Sequence, residues 1–188
     1  MSRLISLFLA LLLTACASTP PAPQDLPPRP PRESLHSFAM SGRVAINQGS
    51  RSNTVRIAWE HAGENDSIGF ASPLGNVLAE LQRSSKGARW TTADGELYEA
   101  RSADRLMARL TDTPVPLDAL VLWITGRTTL QAAPVARDPQ GRLLSAFDQG
   151  WAVRITAYES ELPNALPRTL EVEQAGLRLK LVIEEWVL

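Results

Sequence analysis

Residues 177–186 read Leu-Arg-Leu-Lys-Leu-Val-Ile-Glu-Glu-Trp and form the clearest strand pattern in the chain. Apolar and charged side chains alternate there with a period of two, the apolar ones being Leu177, Leu179, Leu181 and Ile183. Successive side chains of a β-strand point to opposite faces of a sheet, so the leucines share one face and the charges the other. The stretch predicts a strand of an antiparallel sheet with one covered and one solvated face.

The same alternation runs through most of the chain before this stretch. Segments that show it begin near residues 38, 54, 68, 76, 88, 96, 142, 151 and 170, and turn residues lie between them. The spacing becomes helical in residues 102–110 and again from Pro116 to a predicted stop at Gly126. Residues 128–139 predict a loop with room for one short strand. We therefore expect five or six strands, two short helices and then four strands.

This order predicts a mainly β protein with a few helices, in the α+β class. Two short helices are too few to cover a flat sheet of about ten strands. A curved sheet, wrapped partly around the helices, would solve this problem. It would also leave a concave apolar face, which is the geometry of a ligand pocket.

The N-terminus has the pattern of a bacterial export signal. Arg3 precedes the apolar run 4–13, which is too short to cross a bilayer, and Leu13-Thr14-Ala15-Cys16 follows. These four residues resemble a lipobox, in which the signal is cut before the cysteine and the cysteine is acylated. We predict a signal peptide over residues 1–15 and lipidation of Cys16. The alternatives are an ordinary signal peptide or a buried N-terminal helix with an incidental cysteine.

Seven prolines lie between Thr19 and Arg32, and such a run stays extended. We therefore predict a lipidated tether over residues 16–34 and one domain over residues 35–188. Cys16 is the only cysteine, so the domain can hold no disulfide. Ala17 follows it, where an Asp usually retains bacterial lipoproteins in the inner membrane, so we expect export to the outer membrane.

The charge balance argues against some partners. Removing residues 1–15 deletes one basic residue, which leaves 18 Lys and Arg against 20 Asp and Glu. Nucleic-acid binding needs a basic excess, and none is present. Anchoring to a membrane would have to depend on acyl chains, of which one alone gives only marginal attachment.

The residues that could support catalysis are few. His36 and His61 are expected at the surface, one beside the tether and one at a strand end. The sequence has no Gly-x-Ser-x-Gly motif and no cluster with metal-ligand spacing. We predict no catalytic residue, metal or cofactor, and a secreted hydrolase is a remote alternative.

The apolar residues are better candidates for a functional role than the titratable ones. The five tryptophans either pack in the core or partly line a cavity, and alternation alone cannot separate these cases. In Ser-Pro-Leu-Gly at 72–75, Pro suits the second position of a turn and Gly the fourth. Leu74 would either fold back onto the sheet or stay exposed and enter a bilayer, where full burial of its side chain contributes roughly 1.5–3 kcal/mol.

The order and spacing of these motifs resemble the LolB family of outer-membrane lipoprotein receptors in Gram-negative bacteria. Beside the lipobox, the matching positions are Gly42–Ala45, Trp59, Ser72–Gly75, Tyr98, Leu110–Thr111, Pro114–Leu117, Trp123–Gly126, Gly141–Leu143, Gly150–Trp151 and Leu179–Trp186. The chain departs from the family at Arg127 and Thr128, where an apolar residue and a proline usually stand. The short Pro-rich segment also leaves little room for the helix that often precedes the first strand.

The resemblance implies a half-open antiparallel barrel with lid helices over an apolar cavity. It implies a monomer, anchored through Cys16 to the periplasmic face of the outer membrane. This receptor would accept lipoprotein acyl chains from the periplasmic carrier LolA and insert them among outer-membrane lipids. The resemblance also implies that the loop of Pro73, Leu74 and Gly75 enters the membrane.

Strand parity and the helix stripe select the cavity-lining candidates. They are Phe38, Met40, Val55, Ile57, Trp59, Leu120, Trp123, Trp151, Val153, Leu179 and Leu181. A structural or scaffold lipoprotein without a lipid cavity, in which every tryptophan is core, remains the alternative from another class.

Overall fold

A computed structural model of the chain describes residues 29–111 and 113–188. The predicted signal peptide, Cys16 and most of the predicted tether lie outside these residues. Between Arg29 and the first strand, the helical element in the described part is a single 3-10 turn at Arg32–Ser34.

The described elements follow the predicted order. Six strands come first: β1 Ser37–Gln48, β2 Arg51–Ala62, β3 Asn65–Ala71, β4 Val77–Ser84, β5 Gly87–Thr92 and β6 Leu97–Ala100. Helices α1 Ala103–Thr111 and α2 Leu117–Ile124 follow. Five strands complete the fold: β7 Val135–Arg137, β8 Leu143–Asp148, β9 Trp151–Tyr158, β10 Pro167–Gln174 and β11 Leu177–Val187. β7 is the one short strand that was predicted within the loop at residues 128–139.

All eleven strands form one antiparallel sheet in the order β6-β5-β4-β3-β2-β1-β11-β10-β9-β8-β7. β6 and β7 are its two edges and do not pair with each other within the described chain, so the sheet is open. The predicted class, mainly β with a few helices, is confirmed. The first strand lies beside the last one, which joins the two halves of the chain.

The sheet has two ends, which we call the base and the rim. At the base the chain enters β1 at Ser37 and leaves β11 at Val187. The rim carries the turns β1–β2, β3–β4, β5–β6, β8–β9 and β10–β11, because every strand runs antiparallel to its neighbours. The connections β2–β3, β4–β5, β7–β8 and β9–β10 lie at the base.

Both helices lie over one face of the sheet. α1 contacts β5 and β6, whereas α2 contacts β10 in the other half. The buried side chains of α2 join the inward-facing apolar residues of the strands in a single core cluster. The helices therefore bridge the two halves, and the sheet must curve around them.

The C-terminal end of α2 is set by a glycine. Gly126 has a φ of +78° and its N–H donates to the carbonyl of Trp123 at 3.0 Å. The N–H of Arg127 donates to the carbonyl of Leu122 at 2.8 Å. This pair of bonds is the Schellman arrangement, in which glycine takes the left-handed position. The predicted stop at Gly126 is confirmed, and the family's usual proline is not needed for it.

One glycine in β1 allows the central strands to approach. The register of β1 against β11 shifts between Ser41 and Gly42. A Cβ at Gly42 would overlap the carbonyl oxygen of Val182 and lie 3.1 Å from the Cα of Ile183. These neighbours are backbone atoms of a paired strand, so they cannot move aside without breaking the ladder.

We expect Gly42→Ala to lower the free energy of unfolding by about 1–3 kcal/mol, the usual cost of overpacking. Gly69→Ala is the matched control, because the nearest atom to its Cβ is the carbonyl oxygen of Ala58 at 3.9 Å. Urea unfolding followed by circular dichroism measures both variants. Equal stabilities of the two variants would contradict this account of the bulge.

Candidate functional site: an apolar cavity beside the rim

An apolar cavity of about 150 Å³ lies between the concave face of the sheet and the two helices. Six neighbouring strands, β1 to β4, β10 and β11, contribute to its wall, together with both helices and Val115. Gln48 is the one polar residue among the eighteen that line it. Such a wall can hold a hydrocarbon group and offers little to a polar one.

The structure places five of the eleven cavity candidates on this wall. They are Ile57, Trp59, Leu120, Leu179 and Leu181. The other six do not line it in the described structure: Phe38, Met40, Val55, Trp123, Trp151 and Val153. All eleven contribute to or pack against the same core cluster, so the two groups differ in where along the sheet they lie.

Aromatic packing closes the core on the base side. The Phe38 ring lies 5.8 Å from Trp59, 5.0 Å from His61 and 5.4 Å from Trp186, measured between ring centroids. Met40 is buried on the same face one pair further along β1. These side chains fill the space that the cavity would otherwise occupy toward the base.

A second group fills the core near β8 and β9. The rings of Trp123 and Trp151 lie 6.2 Å apart, and the Trp123 indole N–H donates to the Asp148 carboxylate at 2.8 Å. Val153 is buried on the same face of β9 as Trp151. The structure thus packs three of the five tryptophans, Trp123, Trp151 and Trp186, in the core, whereas Trp59 touches the cavity.

The cavity is more open toward the rim. Among its strand residues, Trp59, Ile68, Leu81 and Leu181 are buried and lie nearer the base. Ile46, Ile57, Phe70 and Leu179 lie nearer the rim and are only half-buried. Met107 of α1 and Leu120 of α2 are also half-buried and line the same side. Val172 and Leu177, at the rim ends of β10 and β11, are buried. The accessible side of the cavity therefore lies toward the rim ends of β1, β2 and β3.

A buried ion cluster holds the base side of the site. The Asp66 carboxylate accepts a hydrogen bond from the Trp59 indole at 2.7 Å and lies 2.9 Å from Nδ1 of His61. Nε of Arg83 lies 2.5 Å from its second oxygen, and Arg83 also pairs with Asp118 of α2. The cluster thus joins three neighbouring strands, β2, β3 and β4, to helix α2.

The environment of Asp66 shifts its pKa. Burial raises the pKa of the carboxyl, but the hydrogen bonds from His61 and Trp59 and the charge of Arg83 outweigh burial and leave it below its usual value. Asp66 is therefore an ionised structural acceptor. The expectation of a surface position holds for His36 but is wrong for His61, which is 8% exposed, because the register of β2 against β3 places it directly opposite Asp66.

The Leu74 loop stands on the rim. The N–H of Gly75 donates to the carbonyl of Ser72 at 2.9 Å, which closes a turn with Pro73 and Leu74 at its centre. The Ser72 hydroxyl accepts from the N–H of Asn76, and Gly75 has a φ of +92°. Leu74 is 90% exposed. Of the two conformations that the sequence left open, the structure has the exposed one.

Sequence reasoning missed several lining residues, including Ile46, Phe70, Met107 and Leu177. Alternation did mark Ile46 and Phe70 as inward-facing, and the helix stripe marked Met107. What it could not supply was position along the sheet, which depends on the pairing register and on the helices above.

Comparison with known structures defines the class of fold. A LolA superfamily protein of Nitrosomonas europaea aligns with a TM-score of 0.53 and 9% identity, over 82% of this chain and 87% of its own. A DUF1329 family protein of Desulfovibrio piger aligns with a TM-score of 0.52 and 9% identity, over 82% of this chain and 86% of its own. The described chain, an open antiparallel sheet with helices over one face, therefore shares its overall fold with these two proteins.

Comparison of sequences identifies the family within this class. The family model described as "Outer membrane lipoprotein LolB" matches residues 36–186. The outer-membrane lipoprotein LolB of Dechloromonas aromatica is 34% identical over 181 residues, 93% of this chain and 92% of its own. That of Neisseria meningitidis serogroup A is 30% identical over 185 residues, 98% of this chain and 91% of its own. The chain belongs to the LolB family of outer-membrane lipoproteins.

Two further observations concern the described residues only. No helix among them is both long and apolar enough to cross a membrane. No group of three or more His, Cys, Asp or Glu side chains among them is arranged to hold a metal ion.

The pH dependence of the free energy of unfolding tests whether the ionised Asp66 carboxylate stabilises the base. A carboxyl with a lowered folded-state pKa binds its proton less readily than in the unfolded chain. It therefore stabilises the fold above the unfolded pKa of about 3.9, and this contribution is lost as the pH falls through the folded-state pKa.

We expect Asp66→Asn to lower the free energy of unfolding by about 3 kcal/mol at pH 7, because Arg83 loses its buried partner. The difference from the wild type should shrink when urea unfolding is repeated at about pH 3, below the unfolded value. A difference that stays constant over this range would contradict an ionised Asp66.

Proposed function

We propose that this protein is a lipid-anchored receptor that takes up lipoprotein acyl chains from the carrier LolA and inserts them into the outer membrane. The observation that carries the proposal is the apolar cavity, whose accessible side lies next to the exposed Leu74 turn. Membership of the LolB family supports a role in lipoprotein localisation. The role is one of binding and transfer, without catalysis.

The proposal assigns a part to each segment of the chain. Residues 1–15 direct export, residues 16–34 carry the acylated Cys16 and act as a tether, and residues 35–188 form the receptor domain. Attachment to the periplasmic face through Cys16 keeps the domain beside the bilayer that receives its cargo. We propose that it works as a monomer with LolA as its donor.

The cavity size sets a requirement for the lid helices. Its volume of about 150 Å³ is below the roughly 300–1,000 Å³ of ordinary small-molecule pockets. An engineered cavity of this size holds a benzene ring. An acyl chain therefore needs the wall to widen. We propose that the helices move away from the sheet, which the half-buried positions of Met107 and Leu120 on the wall support.

A scaffold lipoprotein without a cavity is the competing function. A close-packed interior in which all tryptophans are core would favour it. The apolar wall, with Trp59 on it, argues for the receptor instead. The decisive experiment loads LolA with a lipoprotein, mixes it with the protein and follows whether the cargo changes partner. A properly folded protein that receives no cargo would overturn the proposal.

Filling the cavity should block uptake. We expect Ile57→Trp to weaken binding of a fluorescent fatty acid roughly tenfold, because the added ring must displace the ligand or strain the wall. Val55→Trp is the matched control, since Val55 is half-buried two residues earlier in β2 but does not line the cavity. Equal losses in both variants would place the ligand elsewhere.

Leu74 should act after uptake. We expect Leu74→Glu to fold normally, because an exposed turn tolerates a charge, and to accept cargo from LolA like the wild type. Delivery of that cargo into phospholipid vesicles should fall at least about tenfold, since the burial of one leucine side chain is lost and a charge is introduced.

Leu162→Glu makes the same chemical change on an exposed leucine in the β9–β10 connection at the base. Delivery by this control should be unchanged. Wild-type delivery by Leu74→Glu would remove the role assigned to Leu74, whereas the uptake measurement would still stand for the cavity.

A further inference from the structure

A second leucine is as exposed as Leu74 and lies on the same end of the sheet. Leu130 is 100% exposed in the connection from α2 to β7. The N–H of Ala132 approaches the carbonyl of Thr129 at 3.4 Å, so Leu130 and Gln131 occupy the centre of a turn. An apolar side chain held fully in water at the tip of a turn has no packing role in the isolated protein.

Hydrogen bonds attach this turn to the rim. The Asp148 carboxylate accepts from the N–H of Thr129 at 2.8 Å and also from its hydroxyl. The N–H of Ala133 donates to the carbonyl of Phe147 at 2.9 Å. Asp148 is the last residue of β8 and also accepts from the indole of Trp123. These hydrogen bonds therefore fix the position of the turn relative to β8, and the buried Asp148 carboxylate is their main acceptor.

The two exposed leucines stand on opposite halves of the rim. The Leu74 turn follows β3, and the Leu130 turn lies against the end of β8. These strands are six positions apart in the sheet, or about 29 Å along its curve. The cavity wall is built largely from the strands between them, so the two turns lie on either side of this wall.

Charge is distributed unevenly between the two ends. The rim turns β1–β2, β3–β4, β8–β9 and β10–β11 and residues 128–134 contain no Asp, Glu, Lys or Arg. The β5–β6 turn, with Asp94 and Glu96, is the exception. Every base connection carries at least one charged residue, examples being Glu64, Lys86, Arg101, Asp138 and Glu159. Since moving a charge into hydrocarbon is costly, only the rim is suited to touch a bilayer.

The length of the N-terminal segment permits this orientation. Arg29 pairs with Glu159 at 2.6 Å and so fixes the chain to the base. The thirteen residues from Cys16 to Arg29 can span at most about 45 Å. Strand β1, with 12 residues, is about 41 Å long. A chain anchored at Cys16 can therefore bring the rim to the same membrane, although its attachment point is at the base.

We propose that the Leu130 turn is a second membrane-contacting element, which acts with the Leu74 turn to seat the rim on a phospholipid bilayer with the cavity facing it. This inference rests on the proposed function for the membrane role of Leu74. Burial of a leucine side chain strengthens partitioning into hydrocarbon roughly ten- to a hundredfold. Two leucines on opposite halves limit the tilt of the domain along the line that joins them, which one leucine cannot do.

The test measures the surroundings of each turn directly. The variants Leu130→Cys, Leu74→Cys and Leu162→Cys are made in the full chain and labelled with an environment-sensitive fluorophore. Acylated Cys16 leaves no other thiol to react, because the sequence has one cysteine. The proteins are reconstituted in vesicles of phosphatidylethanolamine and phosphatidylglycerol, with and without a lipid that carries a quencher in its acyl chain.

We expect the labels at positions 130 and 74 to shift to the blue and to be quenched, and the label at 162, at the base, to keep its emission in water. A shift at 74 but not at 130 would overturn this inference and leave the proposed function intact. A shift at 162 but not at 130 would mean that the base faces the bilayer and would also overturn it. Protection of the label at 130 by the carrier alone, and not by vesicles, would identify a protein-docking surface instead.

A shift at neither 74 nor 130 would overturn both this inference and the membrane part of the proposed function. Acyl-chain uptake is read separately from fatty-acid binding, so its outcome stays distinguishable. As a functional readout, Leu130→Glu should lower delivery of cargo to vesicles roughly tenfold while uptake from the carrier is unchanged. Wild-type delivery by this variant would contradict a contribution of Leu130 to seating.

Discussion

The pairing of β1 with β11 is the constraint on which the rest of the structure depends. Ten residue pairs, from Ala39 with Val187 to Gln48 with Leu177, join the first strand to the last. The six strands before the helices and the five after them thereby become one sheet. Both helices come from the middle of the chain and lie over the concave face, α1 against β5 and β6 and α2 against β10. The cavity is the space left between seam and helices, and β1 and β11 both contribute to its wall.

An apolar cavity in the core carries an energetic cost that packing elsewhere must offset. At about 24 cal/mol per Å³, a volume of 150 Å³ corresponds to roughly 3–4 kcal/mol of lost stability. Toward the base, the ring of Phe38 packs against three other rings. Asp66 adds a buried acceptor with three partners and ties α2 to the sheet through Arg83. The base thus carries the aromatic packing and the charged connections, whereas four of the five strand turns at the rim carry no charge.

Most of the fold could be read from the sequence because period-two alternation reports directly which face of a strand is covered. It identified both helices and ten of the eleven strands, and it failed to delimit only β7, whose three residues are all exposed and carry no alternation. The cavity-lining residues were harder to predict from the sequence. Phe38 and Phe70 both face inward, yet the register places one in the aromatic packing at the base and the other on the cavity wall. His61 escaped prediction for the same reason, since its burial depends on the hairpin that sets it opposite Asp66. Leu130 lies in an unpatterned segment and gave no signal of its own.

The tightness of the cavity bears on the direction of transfer. A receptor that draws on no energy source passes its cargo to the bilayer only if the bilayer binds acyl chains more strongly than the receptor does. Each methylene group that leaves water gains about 0.8 kcal/mol in either environment. The difference must therefore come from the receptor, where widening a cavity of about 150 Å³ costs contacts between the helices and the sheet. This cost is recovered when the chain leaves. On the proposed function, a small cavity favours release, and contact of the rim turns with the bilayer shortens the path through water on which methylene groups would be exposed.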